Sequence, residues 1–350
     1  MEFIFPAGIA FGLTVVLSLL ALIFFPKWKL MDRPRKYGLK RNPIPYYGGL
    51  IIFTAFAISV LVFTNFDKHI AGLLLGGFMI MGIGFLDDRF GVNPFIRLAV
   101  QFLAGVVIVL SGIGINSITN PLGGTFVLDQ YKIPFEFNGI FYHLTLLADL
   151  FTILWVILLT NTMNFLDGID GLPSGVTAIA AFTIFLLSTR SGIHYGDQTQ
   201  VAMLAIILFA VCLAFLIFDF SPARMLMGDT GSTFLGFTLA ILAIFSGGKI
   251  ATTFLVLGIP ILDALWVIIR RILQKKSPMK GDLKHLHHRF LIAGLTKRQT
   301  LLVIYAFCVA FGLVAVYTGS LMKLVAVFGL LFLMVIVGGV VVYWGKRNRI

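Results

Sequence analysis

Charge is what this sequence has least of: Asp, Glu, Lys and Arg make up 12% of its 350 residues, against about 25% in an ordinary soluble domain. With 59% hydrophobic residues, 35 Phe and a mean hydropathy of +1.00, a water-soluble globule is excluded, because too little polar surface exists to coat one. Cysteine is scarcer still. Cys212 and Cys308 both lie inside apolar runs, where a thiol packs as a small hydrophobe, so neither a disulfide framework nor a cysteine metal site is available. No basic residue precedes Lys27, so the leading apolar run lacks the n-region of a secretory signal and is expected to remain as a first span.

What is present is a series of apolar runs of roughly the 20 residues that cross a bilayer. They fall near residues 3–25, 47–63, 70–86, 94–113, 144–160, 172–188, 201–218, 230–245, 250–273, 300–316 and 324–344. The expected fold is an all-α integral membrane protein of about eleven transmembrane helices, a single polytopic domain over residues 1–350 with no second domain or long linker. An odd number puts the termini on opposite sides. With the N-terminus outside and the C-terminus cytoplasmic, 22 of the 27 Lys and Arg residues fall on the inner side, as the positive-inside bias requires. Lys68, Lys132, Arg190, Lys249 and Lys323 remain outside. This topology explains much of the +12 net charge without nucleic acid, and the basic face suits anionic lipid head groups or an anionic substrate. The longest outer connection, 114–143, contains Thr125-Phe126-Val127-Leu128 and Tyr131-Lys132-Ile133 after Gly123-Gly124 and is expected to form a small outer-face β-hairpin.

The inner side also collects nine of the 15 acids and three of the six histidines, mostly in loops 26–46, 87–93, 161–173, 219–232 and 274–299. Charge at a membrane border is costly unless paired or hydrated, so this face is where a site is expected. Asp87-Asp88 closes the third span; adjacent helical residues point about 100° apart, so one could act on a substrate while the other holds a base or metal water. A solvated helix end with Arg89 as partner would give the same pair. Asn161, Asn164, Asp167 and Asp170 recur every three residues, and on a helix they share one slowly drifting face until Pro173. Four such groups in an apolar bundle need partners, and their oxygens suit Mg²⁺ or Mn²⁺ and a polar ligand. Met227-Gly228-Asp229-Thr230-Gly231-Ser232 opens the eighth span; it reads as a phosphate site at a helix N-terminus or as a plain N-cap. His285-Leu286-His287-His288-Arg289 lacks zinc spacing and suits phosphate and sugar hydroxyls, or a juxtamembrane basic patch. Asp263, within the ninth span, must be paired or neutral, and no partner is evident in the sequence.

Taken together, Asp87-Asp88, the Asn161 to Gly171 run, Met227 to Ser232, the His285 to Arg289 segment, Asp32-Arg33-Pro34 and Pro43 to Gly49 resemble the polyprenyl-phosphate N-acetylhexosamine-1-phosphate transferase family. The resemblance covers nearly the whole chain, in order. It implies transfer of a sugar 1-phosphate from a UDP-sugar to a polyprenyl phosphate, with release of UMP. It implies Mg²⁺ held by Asp229 with help from Asn164, and Asp87, Asp88 and Asp229 as the catalytic carboxylates, the first two around the lipid phosphate. Asn161, Asp167 and Asp170 are implied around the nucleotide and diphosphate, and His285, His287, His288 and Arg289 on the sugar phosphate. Lys40, in a stretch where relatives often carry His before Pro-x-Pro, joins the substrate-binding group. The His-x-His-His-Arg form is more like the branch using UDP-N-acetylglucosamine than the branch using UDP-N-acetylmuramoyl-pentapeptide, which tends to three consecutive histidines. Leu226 stands where many relatives have an aromatic residue. A homodimer in the cytoplasmic membrane follows by the same analogy. An ion-coupled transporter is the rival class, but no inverted repeat is evident and the polar residues gather at one face instead of the midplane.

The charge count makes a prediction. With an impermeant thiol reagent applied to intact cells, a cysteine introduced at Lys132 should be labelled and cysteines at Lys36 and Lys284 should not.

Overall fold

A computed structural model describes residues 2–34, 41–120, 124–130, 132–137, 140–190, 198–245, 250–277 and 285–347. Lys36, Lys40, Asp197, Lys249 and Lys284 lie outside these residues. Eight helices are long and apolar enough to cross a membrane among the described residues: α1 (Ile4–Lys27), α3 (Lys68–Phe90), α5 (Leu146–Leu166), α6 (Leu172–Thr189), α7 (Thr199–Asp219), α8 (Gly228–Phe245), α12 (Lys297–Tyr317) and α13 (Ser320–Arg347). A bent pair, α9 (Ile250–Val256) and α10 (Gly258–Leu273), meets at 84° and makes a ninth if counted as one broken span. Two apolar helices are shorter, α2 (Gly48–Phe63) and α4 (Pro94–Leu110). The chain is therefore a multi-pass, mostly helical membrane protein.

Local chemistry sets the helix ends. The Asp67 side chain caps α3 by accepting from the His69 and Ile70 N–H groups, and Asn93 caps α4 with Pro94 in its first turn. Thr296 and Gln299 form a reciprocal capping box on α12. The short helix α11 (Leu286–Ile292) joins α10 to α12.

The strand-forming stretches are present, but they do not pair as one hairpin. Strand β1 (Ser117–Thr119) pairs antiparallel with β2 (Thr125–Val127), and β3 (Lys132–Phe137) pairs with β4 (Ile140–Thr145). Gly124, just before Thr125, has φ +81°. Residues 125–127 spend their ladder bonds on 117–119, and 132–137 pair with 140–145.

Helix α8 lies at the centre, packed by α2, α3, α5 and α6, with Phe234 and Phe237 fully buried. The rings of Phe53 and Phe56 meet Phe234 edge-on at 5.3 and 5.7 Å. Helices in lipid gain little from hydrophobic association and depend on close packing, which small residues permit. Gly84 of α3 is such a point: a Cβ there would lie 2.7 Å from Thr230 Cα and 2.8 Å from the Asp229 carbonyl oxygen. This packing brings the C-terminal ends of α3 and α5 and the N-terminal ends of α2, α4 and α8 to one end of the bundle.

Gly84→Val should wedge α3 away from α8 and cost about 1–3 kcal/mol, the usual range for overpacking. Gly82→Val, where a Cβ meets nothing within 4 Å, is the control. Thermal unfolding of the two purified variants should show a lowered midpoint for Gly84→Val and little change for Gly82→Val.

Candidate active site

One arginine organises the polar end of the bundle. Arg97, in the first turn of α4, donates through Nη1 to Asp87 Oδ2 and, at 3.1 Å, to Asp229 Oδ2; its Nη2 reaches Asn164 Oδ1 at 3.3 Å. Residues from three sequence motifs thereby face one point. The planar guanidinium, with donors spread along its edge, serves two carboxylates and an amide at once. Arg89, the partner that the alternative reading of the Asp pair offered, instead donates to the Lys29 carbonyl at 3.2 Å. It sits next to Asp87-Asp88 in sequence, but the helix turns it away from Asp87. Arg97 and Gln101 are the site residues that sequence reasoning missed. The available signal was a guanidinium and an amide four residues apart on one face of an otherwise apolar run.

Asp88 has a separate set of partners. Its Oδ1 accepts from the Asp229 backbone N–H at 3.0 Å and the Tyr46 hydroxyl at 3.1 Å. Its Oδ2 accepts from the Thr230 N–H at 2.9 Å and the Thr230 hydroxyl at 2.5 Å. The two N–H groups belong to the first turn of α8, where no carbonyl is available within the helix. The Asp of the third span thus caps the eighth from outside. Gly228, at φ +71°, leaves room for this, since a Cβ there would approach Asp88 Oδ2 to 2.5 Å. Burial, followed by the Asp88 charge, raises the Tyr46 pKa above its ordinary value, so the hydroxyl keeps its proton as a donor.

The Asn/Asp row divides. Asn161 and Asn164 lie on the last turns of α5, whereas Asp167 caps that helix and Asp170 lies in the turn before α6. Asn161 pairs with Gln101, its Nδ2 donating to Oε1 at 2.7 Å. Both line an apolar groove of about 440 Å³ between α4, α5 and α10, with Arg97, Leu98, Phe165 and Ile268. Asn164 stays with Asp229, and its Nδ2 donates to the Ser232 hydroxyl at 3.3 Å. Asp167 has a pKa well above the usual carboxylate range, first through burial and then through the charges of Asp219, Asp229, Asp88 and Asp170. Asp170 pairs with Lys297 at 3.1 Å, and Asp219 accepts from the Ser174 hydroxyl at 2.7 Å.

The histidine segment meets this row at Gly168. A Cβ there would collide with His287 Nε2 and lie 3.1 Å from His288 Nε2. His287 is 2% exposed, and its Nε2 is buried without a hydrogen-bond partner among the described residues. Asp263 gains the partner that the sequence did not reveal: His285 Nδ1 at 2.8 Å.

Among the described residues, no three His, Cys, Asp or Glu side chains converge as a self-sufficient metal cage. The oxygens of Asp229, Asp87 and Asn164, gathered around a cationic group, do fit a hard divalent ion of the kind that takes one or two carboxylates together with substrate phosphates.

Fold and site define a polytopic membrane protein with a carboxylate-rich polar site at one end of its helix bundle and an apolar groove beside it. The glycosyl transferase family 4 model matches residues 70–247, and the chain belongs to that family. It is 31% identical to the probable undecaprenyl-phosphate N-acetylglucosaminyl 1-phosphate transferase of Bacillus subtilis, over 83% of this chain and 77% of the relative. It is 32% identical to the decaprenyl-phosphate N-acetylglucosaminephosphotransferase of Mycobacterium tuberculosis, over 80% and 74%. The undecaprenyl-phosphate alpha-N-acetylglucosaminyl 1-phosphate transferase of Escherichia coli is 27% identical, over 79% and 72%.

Burial, and then the neighbouring His288 and His285, hold the His287 pKa well below the usual value. The unfolded imidazole binds a proton as pH falls through about 6.5, while the folded one resists it, so stability should decline in that window. His287→Gln should flatten the loss of unfolding temperature between pH 7.5 and 5.5.

Proposed function

We propose that the chain transfers N-acetylglucosamine 1-phosphate from UDP-N-acetylglucosamine to a polyprenyl phosphate, releasing UMP. One observation supports this reading above the others: Arg97 belongs both to the carboxylate site and to the lining of the apolar groove. A lipid phosphate is the ligand with those two halves, an anion for the guanidinium and a hydrocarbon chain for the groove. The relatives' names point to the same acceptor.

The reaction joins two anions, so neutralising and aligning them is most of the task. An oxygen of the lipid phosphate attacks the phosphorus that bears the sugar, and the bond to UMP breaks. Arg97 holds the acceptor phosphate at the head of the groove. Asp87, which faces Arg97, takes the proton of a singly charged lipid phosphate; with a second pKa near 6 much of the acceptor is already dianionic. Asp88 has both oxygens committed to Tyr46 and α8, so its part is to hold Asp229 in place. His287, His288 and Arg289 receive the sugar phosphate, and Asp167 and Asp170 border the nucleotide. Asp229 and Asn164 would hold Mg²⁺, which when bound lowers the charge on the transferring diphosphate. The eleven apolar segments act as eleven crossings, with α9 and α10 together as one, and the site faces the cytoplasm, where nucleotide sugars are made.

Purified protein given polyprenyl phosphate and Mg²⁺ should release UMP from UDP-N-acetylglucosamine and not from the muramoyl-pentapeptide nucleotide. Preference for the latter would leave the reaction class standing and change the branch. Asp229→Asn keeps size and polarity but removes the charge, and turnover should fall by about 100-fold or more, roughly 3 kcal/mol of transition-state stabilisation. Near-normal turnover with unchanged Mg²⁺ dependence would reduce Asp229 to a helix-start residue.

A further inference from the structure

One buried Asp–His pair has no part in the chemistry above. Asp263 lies in the second turn of α10 and is 9% exposed. Its Oδ2 is 2.8 Å from His285 Nδ1, and its Oδ1 accepts from the Leu286 backbone N–H at 2.9 Å. A carboxylate can only accept, so Nδ1 carries the proton. The Leu286 N–H opens α11, where the helix offers it no carbonyl. A single carboxylate thus holds both a side chain and the backbone at the start of the histidine segment.

His285 is enclosed in turn. It is 6% exposed, tilted against Phe165 of α5 with centroids 5.4 Å apart and stacked on His287 at 5.7 Å with planes 4° apart. His287 passes the contact to His288 at 4.2 Å, and both rings abut Gly168. Ala264, next to Asp263, lines the apolar groove. A carboxylate within an apolar helix is costly, and a well-packed apolar residue would be as stable or more so. Two anchoring hydrogen bonds to another segment give the acid a use that an apolar residue could not supply.

We propose that Asp263 is a positioning residue, acting through His285. The pair latches the His285–Arg289 segment to α10 and sets His287, His288 and Arg289 against the Asn161–Asp170 segment. On this account His285 is the latch itself and not a ligand of the donor. The proposal rests on the transferase reading for its kinetic consequence, and on geometry alone for the latch.

The test compares Asp263→Ala, His285→Ala, their double variant and His285→Asn in the full-length protein, with KM measured separately for UDP-N-acetylglucosamine and polyprenyl phosphate. Asn can present Nδ2 where the imidazole presents Nδ1, so it preserves the bond to Asp263 while deleting the rest of the ring. Each alanine variant should lower kcat/KM for the donor about tenfold or more, with acceptor KM changed less than about twofold. The double variant should be no worse than the worse single one, because coupled residues are not additive. His285→Asn should recover most of what His285→Ala loses. If His285→Asn is as impaired as His285→Ala, or if the single losses multiply in the double variant, the latch is overturned. Should Asp263→Ala fail to fold, the two His285 variants decide. Wild-type protein that releases no UMP would overturn the transferase reading alone; the latch is then decided by unfolding midpoints of the same variants, coupled if the pair holds and additive if it does not.

Discussion

The first turn of a central membrane helix presents N–H groups that its own carbonyls cannot reach, and the rest of the site depends on how α8 closes that end. The closure comes from Asp88 of α3, whose two oxygens take the N–H groups of Asp229 and Thr230 and the Thr230 hydroxyl, with Tyr46 completing the set. The bond geometry requires α3 and α8 to lie almost backbone to backbone, which Gly84 permits. Once that contact is made, the Asp229 carboxylate stands free of capping duty and can face Arg97. Of three acids near one another, Asp88 is bonded to the start of α8, and Asp87 and Asp229 face Arg97.

The site then has an electrostatic character of its own. Asp167 is pushed toward its neutral form by burial and by four neighbouring carboxylates, while Arg97 bridges Asp87 and Asp229. Such a surplus of acid would repel phosphates if it stood alone. On the proposed reading, a divalent ion and the basic groups of the histidine segment offset that surplus, and fixed charges need no rearrangement at the moment of reaction. On the same reading, the apolar groove beside the site takes the hydrocarbon chain of the acceptor lipid, with Arg97 in its lining. The same reading accounts for a polar site at the end of the bundle and not at its middle, since it takes one substrate from water and the other from the bilayer.

Much of this was legible in the sequence. Hydropathy and charge marked a polytopic helical membrane protein, and the apolar runs correspond to helices, because a span must satisfy its own backbone and its signal is local. The motif residues Asp87, Asp88, Asn164, Asp167 and Asp229 could be singled out because polar groups in an apolar chain have few ordinary explanations. Three-residue spacing was a weaker guide: Asn161 and Asn164 share α5, but Asn161 turns to Gln101 and the groove while Asp167 and Asp170 fall past the helix end. The pairing of the strands within 117–145 also escaped, since strand propensity identifies strands but does not choose their partners.

Composition and motif order alone determined the membrane setting, the helical class and the family resemblance, for each is written in residues near one another in the chain or in their order along it. Tertiary structure decided which charge meets which: that Arg97 and not Arg89 answers Asp87, that Asp88 caps a helix 141 residues away, and that Asp263 holds His285. Hydrogen bonds and ion pairs act over about 3 Å. Distances of that size between residues far apart in sequence exist only after the helices have packed.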